Sequence, residues 1–216
     1  MNIIIFGPPG AGKGTQSNFI VKNFSLFKLS TGDLLREEIK KKTPLGLKIT
    51  SIVNSGSLVS DEIINNLIEI IVSNQKYENR IIFDGYPRNL SQAKNLNVLL
   101  SKYKQKIDIV IKLKVSLDVI KKRITGRLTC SKCSKTFNKF FSPPVSNMTC
   151  CEGGILQKRD DDNVDVAIKR YETYEKSTEP VLDFYEKMNL VKDLNGEMNI
   201  ESIQSKISDY LTVIEG

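Results

Sequence analysis

The sequence predicts an α/β protein, a doubly wound parallel sheet covered by helices on both faces and carrying a small β-rich insertion. Three observations predict it. Apolar runs suited to buried parallel strands alternate with stretches of helical periodicity along most of the chain. The first run, Asn2-Ile3-Ile4-Ile5-Phe6, breaks into a glycine-rich turn directly before a helical pattern. One segment, 126–160, drops the alternation and holds all four cysteines with Pro143-Pro144 and Gly153-Gly154.

In chain order, strands are expected at Asn2–Phe6, Leu26–Ser30, Arg80–Asp84, Ile107–Leu113 and Leu190–Leu194, the second and last being weaker patterns. Helical patterns lie between them at Lys13–Asn23, Thr31–Lys41, Asp61–Ser73, Ser91–Tyr103 and Ser116–Thr125. The long stretch Val164–Met188 and the tail Ile200–Val213 also read as helical. Residues 30–59 form a candidate second lobe, with two short helical patterns split near Thr43-Pro44 and an end in Asn54-Ser55-Gly56. That leaves 1–29, 60–125 and 161–216 for the core, and no internal repeat stands out.

A chain of 216 residues can bury one substantial core with small appended lobes. No apolar run approaches a membrane span, and the N-terminus lacks the basic-then-apolar design of a signal peptide. A cytoplasmic protein without a membrane partner is expected. The net charge of +7 fits either a lysine-rich solvated surface or a site for polyanions. Of 32 cationic residues only seven are arginine: Arg36, Arg80, Arg88, Arg123, Arg127, Arg159 and Arg170. Where lysine is the default surface cation, a scarce arginine points to bidentate phosphate contact. Most of these arginines fall beside the motifs below, which favours a focused phosphate site over a nucleic-acid stripe. There is no histidine, which excludes Ser-His-Asp and Cys-His catalysis and imidazole zinc sites. Phosphoryl transfer asks for little beyond positioning and charge.

Gly7-Pro8-Pro9-Gly10-Ala11-Gly12-Lys13-Gly14-Thr15 carries that chemistry. Glycines free backbone N–H groups to curl around an anion, a lysine follows for the outer phosphates, and a helix begins there, as in a phosphate-binding P-loop. Gly14 stands where the generic motif has a magnesium-binding Ser or Thr, and Thr15 comes one position late, which leaves metal ligation from this loop open. Asp84 ends an apolar strand, where a P-loop enzyme holds magnesium directly or through water; alone it would read as a helix cap. Gly85-Tyr86-Pro87-Arg88 and then Gln92 follow, a turn at the carboxyl end of a strand where open α/β sheets bind ligands.

Together with Ser30-Thr31-Gly32-Asp33-Leu34-Leu35-Arg36 and Arg159-Asp160-Asp161-Asp162, these motifs resemble the adenylate kinases in order and spacing along the whole chain. The resemblance implies transfer of the γ-phosphoryl of ATP to AMP, giving two ADP, with magnesium accompanying ATP. It implies a P-loop core with a five-stranded parallel sheet, a helical AMP-binding lobe at 30–59 and a mobile lid at 126–160, in a monomer that needs no nucleic acid. Gly10, Ala11, Gly12, Lys13, Gly14 and Thr15 would cradle the ATP phosphates, with Lys13 following charge onto the moving group. Thr31 and Arg36 would meet AMP, Arg36 at its phosphate; Ser57, Leu58 and Val59 would pack on its adenine. Gly85, Tyr86, Pro87 and Arg88 would hold AMP, and Gln92 would read the adenine edge. Asp84 matches the carboxylate that orients magnesium-bound water. Arg123, Arg127, Arg159 and Arg170 match phosphate-clamping arginines, Arg127 on the ATP side and Arg159 and Arg170 facing AMP or both. Asp161 and Asp162 match acidic positions near the lid hinge. Thr136, Phe137 and Met198 match positions around the ATP base, and Arg80 is left as a surface residue at a strand start.

The cysteines are expected to hold a structural zinc ion. Cys130-x₂-Cys133 followed by Cys150 and Cys151 resembles a zinc knuckle, although the family's second pair is spaced rather than adjacent. Either the backbone bends to bring four thiolates together, or Glu152 supplies an oxygen and one cysteine stands aside; a metal-free lid is the third reading. Two other functions compete: a nucleoside monophosphate kinase with UMP or CMP as acceptor, and a P-loop protein whose zinc lobe binds nucleic acid.

Overall fold

The computed structural model describes residues 1–55, 57–133, 135–144, 150–159 and 162–215. Gly56, Asp160 and Asp161 lie outside the described residues. Strands β1 (Ile3–Phe6), β2 (Phe27–Ser30), β3 (Ile81–Asp84) and β4 (Ile109–Lys114) are followed by three short strands of a separate lobe, β5 (Arg127–Cys130), β6 (Thr136–Asn138) and β7 (Leu156–Gln157), and then by β8 (Val191–Asn195). The parallel sheet has the order β2-β3-β1-β4-β8. Its central register places Ile4 beside Phe83 and Val110.

All four side chains of β1 are buried, because both faces of the sheet are covered. Alternation divides them: Ile4, Phe6, Phe83 and Val110 join one core, and Ile3, Ile5, Ile82 and Ile111 the other. Helices α1 (Lys13–Phe24), α2 (Thr31–Lys40), α3 (Pro44–Asn54), α4 (Asp61–Val72), α5 (Leu90–Lys102), α6 (Leu117–Thr125), α7 (Val164–Thr173), α8 (Pro180–Glu186) and α9 (Ile200–Glu215) complete the chain. Ile64 and Ile68 of α4, Leu96 of α5 and Tyr185 of α8 close the first core; Ile20 of α1, Ile120 of α6 and Ile207 of α9 close the second. Buried Asn2 stitches the bottom of the sheet, accepting from Ile81 N–H at 3.1 Å and donating to the Lys106 carbonyl at 3.0 Å.

The strands and helices agree with the sequence expectations to within about two residues at their ends, as boundary readings do. The stretch 164–188 differs. It is interrupted by a π-helical turn, Tyr174–Thr178, closed by Glu179 N–H donating to the Tyr174 carbonyl at 2.8 Å. Pro180 is the cause: it has no N–H, and its ring excludes a carbonyl four residues back, so the helix widens before it. Arg80 is exposed beside β3, its guanidinium donating to the Ser25 carbonyl at 2.7 Å.

The second sheet, β6-β5-β7, is antiparallel and leaves the core between α6 and α7. Among its described residues only Cys130 buries a side chain beyond glycine, while Phe140, Phe141 and Ile155 are exposed. Among the described residues no helix is long and apolar enough to cross a membrane. The loops that leave β1, β2, β3, β4 and β8 all open at the carboxyl edge of the parallel sheet, and the site lies there.

Candidate functional site

The glycine loop leaves β1 at Gly7 and enters α1 at Lys13. Gly10 and Gly12 take φ of 84° and 96°, left-handed values that other residues rarely adopt. No side chain caps α1 and its first turn has no acid, which leaves the positive helix end to a ligand. Lys13 arches over the loop, donating to the carbonyls of Gly7 at 2.6 Å and Pro8 at 3.0 Å. A Cβ on Gly14 would stand 3.8 Å from Lys28 Nζ and 4.0 Å from Asp84 Oδ2, so the missing loop hydroxyl would have faced that carboxylate. Asp84 is buried at the end of β3, with Lys28 Nζ 3.5 Å from its Oδ2.

Six further segments bring cations to this edge. Arg36 on α2 pairs with Asp33 one turn earlier. Arg88, after β3, is braced by Nε to the Gly85 carbonyl at 2.7 Å, and its own carbonyl accepts from Thr178 at 2.8 Å. Arg123 on α6 donates to the carbonyls of Ala11 at 3.0 Å and Gly196 at 2.8 Å, tying the glycine loop to the turn after β8. Arg127 opens β5 and pairs through two nitrogens with Asp162, whose side chain is fully buried. Arg159 lies after β7, its Nε 3.2 Å from Thr129 Oγ1, and Arg170 reaches from α7 to the Val53 carbonyl at 3.2 Å.

These cations oppose one another. Burial lowers the Lys13 pKa to about 8, with Asp84 resisting and Arg88 and Arg127 adding to the fall. Burial, then Arg170 and Arg36, lower Arg88 to about 10 against the pull of Asp84. Arg159 falls to about 10 through burial, Arg127 and Arg36, with Asp162 and Asp33 opposing. Such a cage is strained electrostatically until a polyanion enters.

A single cleft of about 560 Å³ is lined by Gly10–Thr15, Asp84, Arg36, Arg88, Arg123, Arg127, Arg159, Arg170, Thr31, Ser57–Val59, Gly85, Pro87, Gln92, Thr136, Phe137 and Met198. Tyr86 alone of the expected nucleotide-site residues is missing from its wall. Its side chain turns into the first core, and its hydroxyl donates to Asn65 Oδ1 at 2.8 Å. The Thr31 hydroxyl donates to the Gly85 carbonyl at 2.8 Å, joining two loops. The Gln92 amide is held at both ends, Oε1 accepting Arg88 N–H and Nε2 donating to Asp61 Oδ1, each at 2.7 Å.

Among the cleft residues that the sequence reading did not place there are Lys28, Thr178 and Phe141, whose ring lies 5.3 Å from the Arg123 guanidinium. A lysine inside β2, among residues otherwise suited to burial, was a usable signal for the first. Thr178 and Phe141 carried none, since their positions depend on the π turn and on the fold of the small lobe.

The four cysteine sulfurs lie within 4.8 Å of one another, with Cys130–Cys151 at 3.7 Å and Cys133–Cys150 at 3.3 Å. The adjacent pair converges because the chain reverses after it: Gly153 has φ 70°, and Gly154 N–H donates to the Cys151 carbonyl at 2.9 Å. A Cβ on Gly154 would sit 2.5 Å from Cys130 Sγ and 2.7 Å from Cys151 Sγ. Backbone N–H groups, that of Cys133 foremost, lower the Cys130 thiol to about 6, and the neighbouring sulfurs raise Cys150 and Cys151. Four sulfurs around one point, one already inclined to the thiolate, fit a tetrahedral metal. Glu152 is exposed and outside the cluster.

A sequence model of the family described as "Adenylate kinase" matches residues 5–190. An adenylate kinase of Pelagibacter ubique (strain HTCC1062) is 51% identical over 213 residues, covering 99% of this chain and all of the relative. Adenylate kinases of Bacillus subtilis (strain 168) and Geotalea daltonii are 38% and 40% identical over 212 residues, covering 98% of this chain and 98% and 99% of those relatives.

Proposed function

This chain belongs to the adenylate kinase family, and from that premise we propose how its cleft residues divide the work of moving a phosphoryl group. The enzyme transfers the γ-phosphoryl of ATP to AMP, giving two ADP, and uses Mg-ATP. Pyrimidine acceptors and nucleic-acid binding are not favoured.

The observation that carries the assignment is the convergence of Lys13 and six arginines from seven segments on one cleft. The glycine loop and Lys13 hold the ATP phosphates, with Lys13 moving with the charge. Arg36 and Arg88 take the AMP phosphate, Arg127 the ATP side, and Arg159 and Arg170 span both. Arg123 holds the glycine loop against the turn before α9 and so shapes the ATP end. Thr31, Ser57–Val59, Gly85–Pro87 and Gln92 receive AMP, Tyr86 through its backbone; Thr136, Phe137 and Met198 border the ATP base. Asp84 would hold magnesium through water, and the ion would supply neutralisation of phosphate charge. Repulsion among the cations becomes attraction once both phosphate chains lie between them, so positioning and electrostatic stabilisation are the same act.

Residues 1–29, 60–125 and 161–216 act as the core, 30–59 as the AMP-binding lobe and 126–160 as the lid. Zinc held by Cys130, Cys133, Cys150 and Cys151 stands in for the core that the lid lacks, which the chemistry of the four sulfurs supports. The enzyme acts as a monomer in the cytoplasm, a compartment that suits cysteines gathered for a metal rather than paired in disulfides. ADP formation from Mg-ATP is the test, with AMP, UMP, CMP and GMP as acceptors. Turnover confined to AMP is expected; transfer to a pyrimidine acceptor would overturn the Thr31 and Gln92 assignments.

A further inference from the structure

Asp61 is the first residue of α4, next to the cleft but outside its lining. It is half-buried, and among the described residues no cation lies within 4.0 Å of its carboxylate. Instead two amides meet it. Gln92 Nε2 donates to Oδ1 at 2.7 Å, and Asn89 Nδ2 donates to Oδ1 at 2.9 Å and Oδ2 at 3.2 Å. An ionised carboxylate only accepts, so each amide must present its N–H side to Asp61. The other end of Gln92 faces the backbone N–H of Arg88, which can only donate, at 2.7 Å from Oε1. The orientation of this amide is therefore dictated from both ends.

We infer that Asp61 is a positioning residue that locks the Gln92 amide and thereby selects a 6-aminopurine over a 6-oxopurine as phosphoryl acceptor. The inference rests on the reading in which Gln92 meets the acceptor base. After its two internal bonds the amide keeps one N–H and one lone pair, and it lines the cleft. A 6-aminopurine presents a ring-nitrogen acceptor beside an exocyclic N–H donor, which that pair satisfies. A 6-oxopurine presents the reverse, a ring N–H beside a carbonyl oxygen, and only a turned amide could answer it. Turning would set Oε1 against the Asp61 carboxylate and Nε2–H against Arg88 N–H. Asp61 thus supplies a contact that rejects the wrong base as well as one that holds the right orientation. Gln92 is 2% exposed, so solvent would relieve the mismatch poorly. Asn89 completes the frame: it presents Nδ2 to Asp61 while its Oδ1 accepts Gln92 N–H at 2.8 Å, capping α5.

Asp61→Asn keeps the shape but can offer an N–H to a turned Gln92, so it removes one of the two locks. Steady-state kinetics with AMP and with inosine monophosphate as acceptors test this in the wild type, Asp61→Asn, Gln92→Leu and the double variant. Asp61→Asn is expected to raise the AMP KM about tenfold and to cut the AMP-to-inosine kcat/KM ratio about tenfold, with kcat and the ATP KM within about twofold of wild type. In the Gln92→Leu background the same substitution is expected to change the ratio by less than about twofold, because its effect passes through that amide. An unchanged ratio in Asp61→Asn, or an effect that multiplies independently in the double variant, overturns the inference. A Gln92→Leu enzyme that still prefers AMP as strongly as wild type would remove Gln92 from base reading and take the inference with it. That outcome is distinct from absent ATP-to-AMP transfer in the wild type, which would instead sink the catalytic assignment.

Discussion

Lys13 and the arginines around it are crowded at a cost to stability, and the activity proposed for them sets a second, opposing demand that is measurable one residue at a time. Lys13 has a folded pKa near 8, below its ordinary 10.5. Below pH 8 it is charged whether folded or not, so its burial, and then the cations beside it, cost stability there; the cost is relieved as pH rises from 8 towards 10.5. Bound polyphosphate should return its pKa upward. ATP binding is therefore expected to take up protons increasingly as pH rises through 8, and to weaken above it, as titration calorimetry in buffers of different ionisation enthalpy would show. Uptake that does not grow through pH 8 would contradict this. Arg88→Ala should lower kcat about a thousandfold while its melting temperature does not fall below wild type, since a repelling cation has gone. Arg127→Ala differs, because it strands the buried Asp162 carboxylate. It is expected to lose activity and about 3 kcal/mol of stability; adding Asp162→Asn should recover the stability and not the rate, by denaturant unfolding against turnover.

At the scale of elements, the small antiparallel lobe poses the sharpest question, because it has almost no apolar interior. Its organising centre is the cysteine cluster, and the reversal at Gly153-Gly154 turns the Cys151 sulfur inward, which favours Cys151 over Glu152 as the fourth ligand proposed. Cys151→Ser and Gly154→Ala are expected to abolish near-stoichiometric zinc in protein purified without added metal, whereas Glu152→Gln keeps it. Zinc retained in Cys151→Ser with loss in Glu152→Gln would reverse the ligand assignment. The helical stretch 164–186 teaches a related lesson. Its periodicity was legible and Pro180 marks the local break, but the contact of the Thr178 hydroxyl in the π turn with the Arg88 carbonyl, 90 positions away, depends on packing between elements.

For the whole molecule, the net charge of +7 takes on a specific meaning. The cations that matter are those the fold concentrates at one edge of the sheet, and the ligand-free protein bears their repulsion. Inorganic tripolyphosphate is expected to raise the melting temperature more than sodium chloride at matched ionic strength, because it occupies the cage rather than screening it. Equal shifts from the two salts in calorimetry would argue against a focused cage. By itself the sequence determined the order of strands and helices, the glycine loop and the identity of nearly every cleft-lining cation, since those follow from local periodicity and from residue types with one physical use. Only the tertiary structure decided which way Tyr86 turns, that Lys28 stands against Asp84, that Cys151 joins the cluster, and that Asp61 holds Gln92 from 31 positions away. Side-chain direction and long-range partners are set by packing between elements, and no local pattern encodes them.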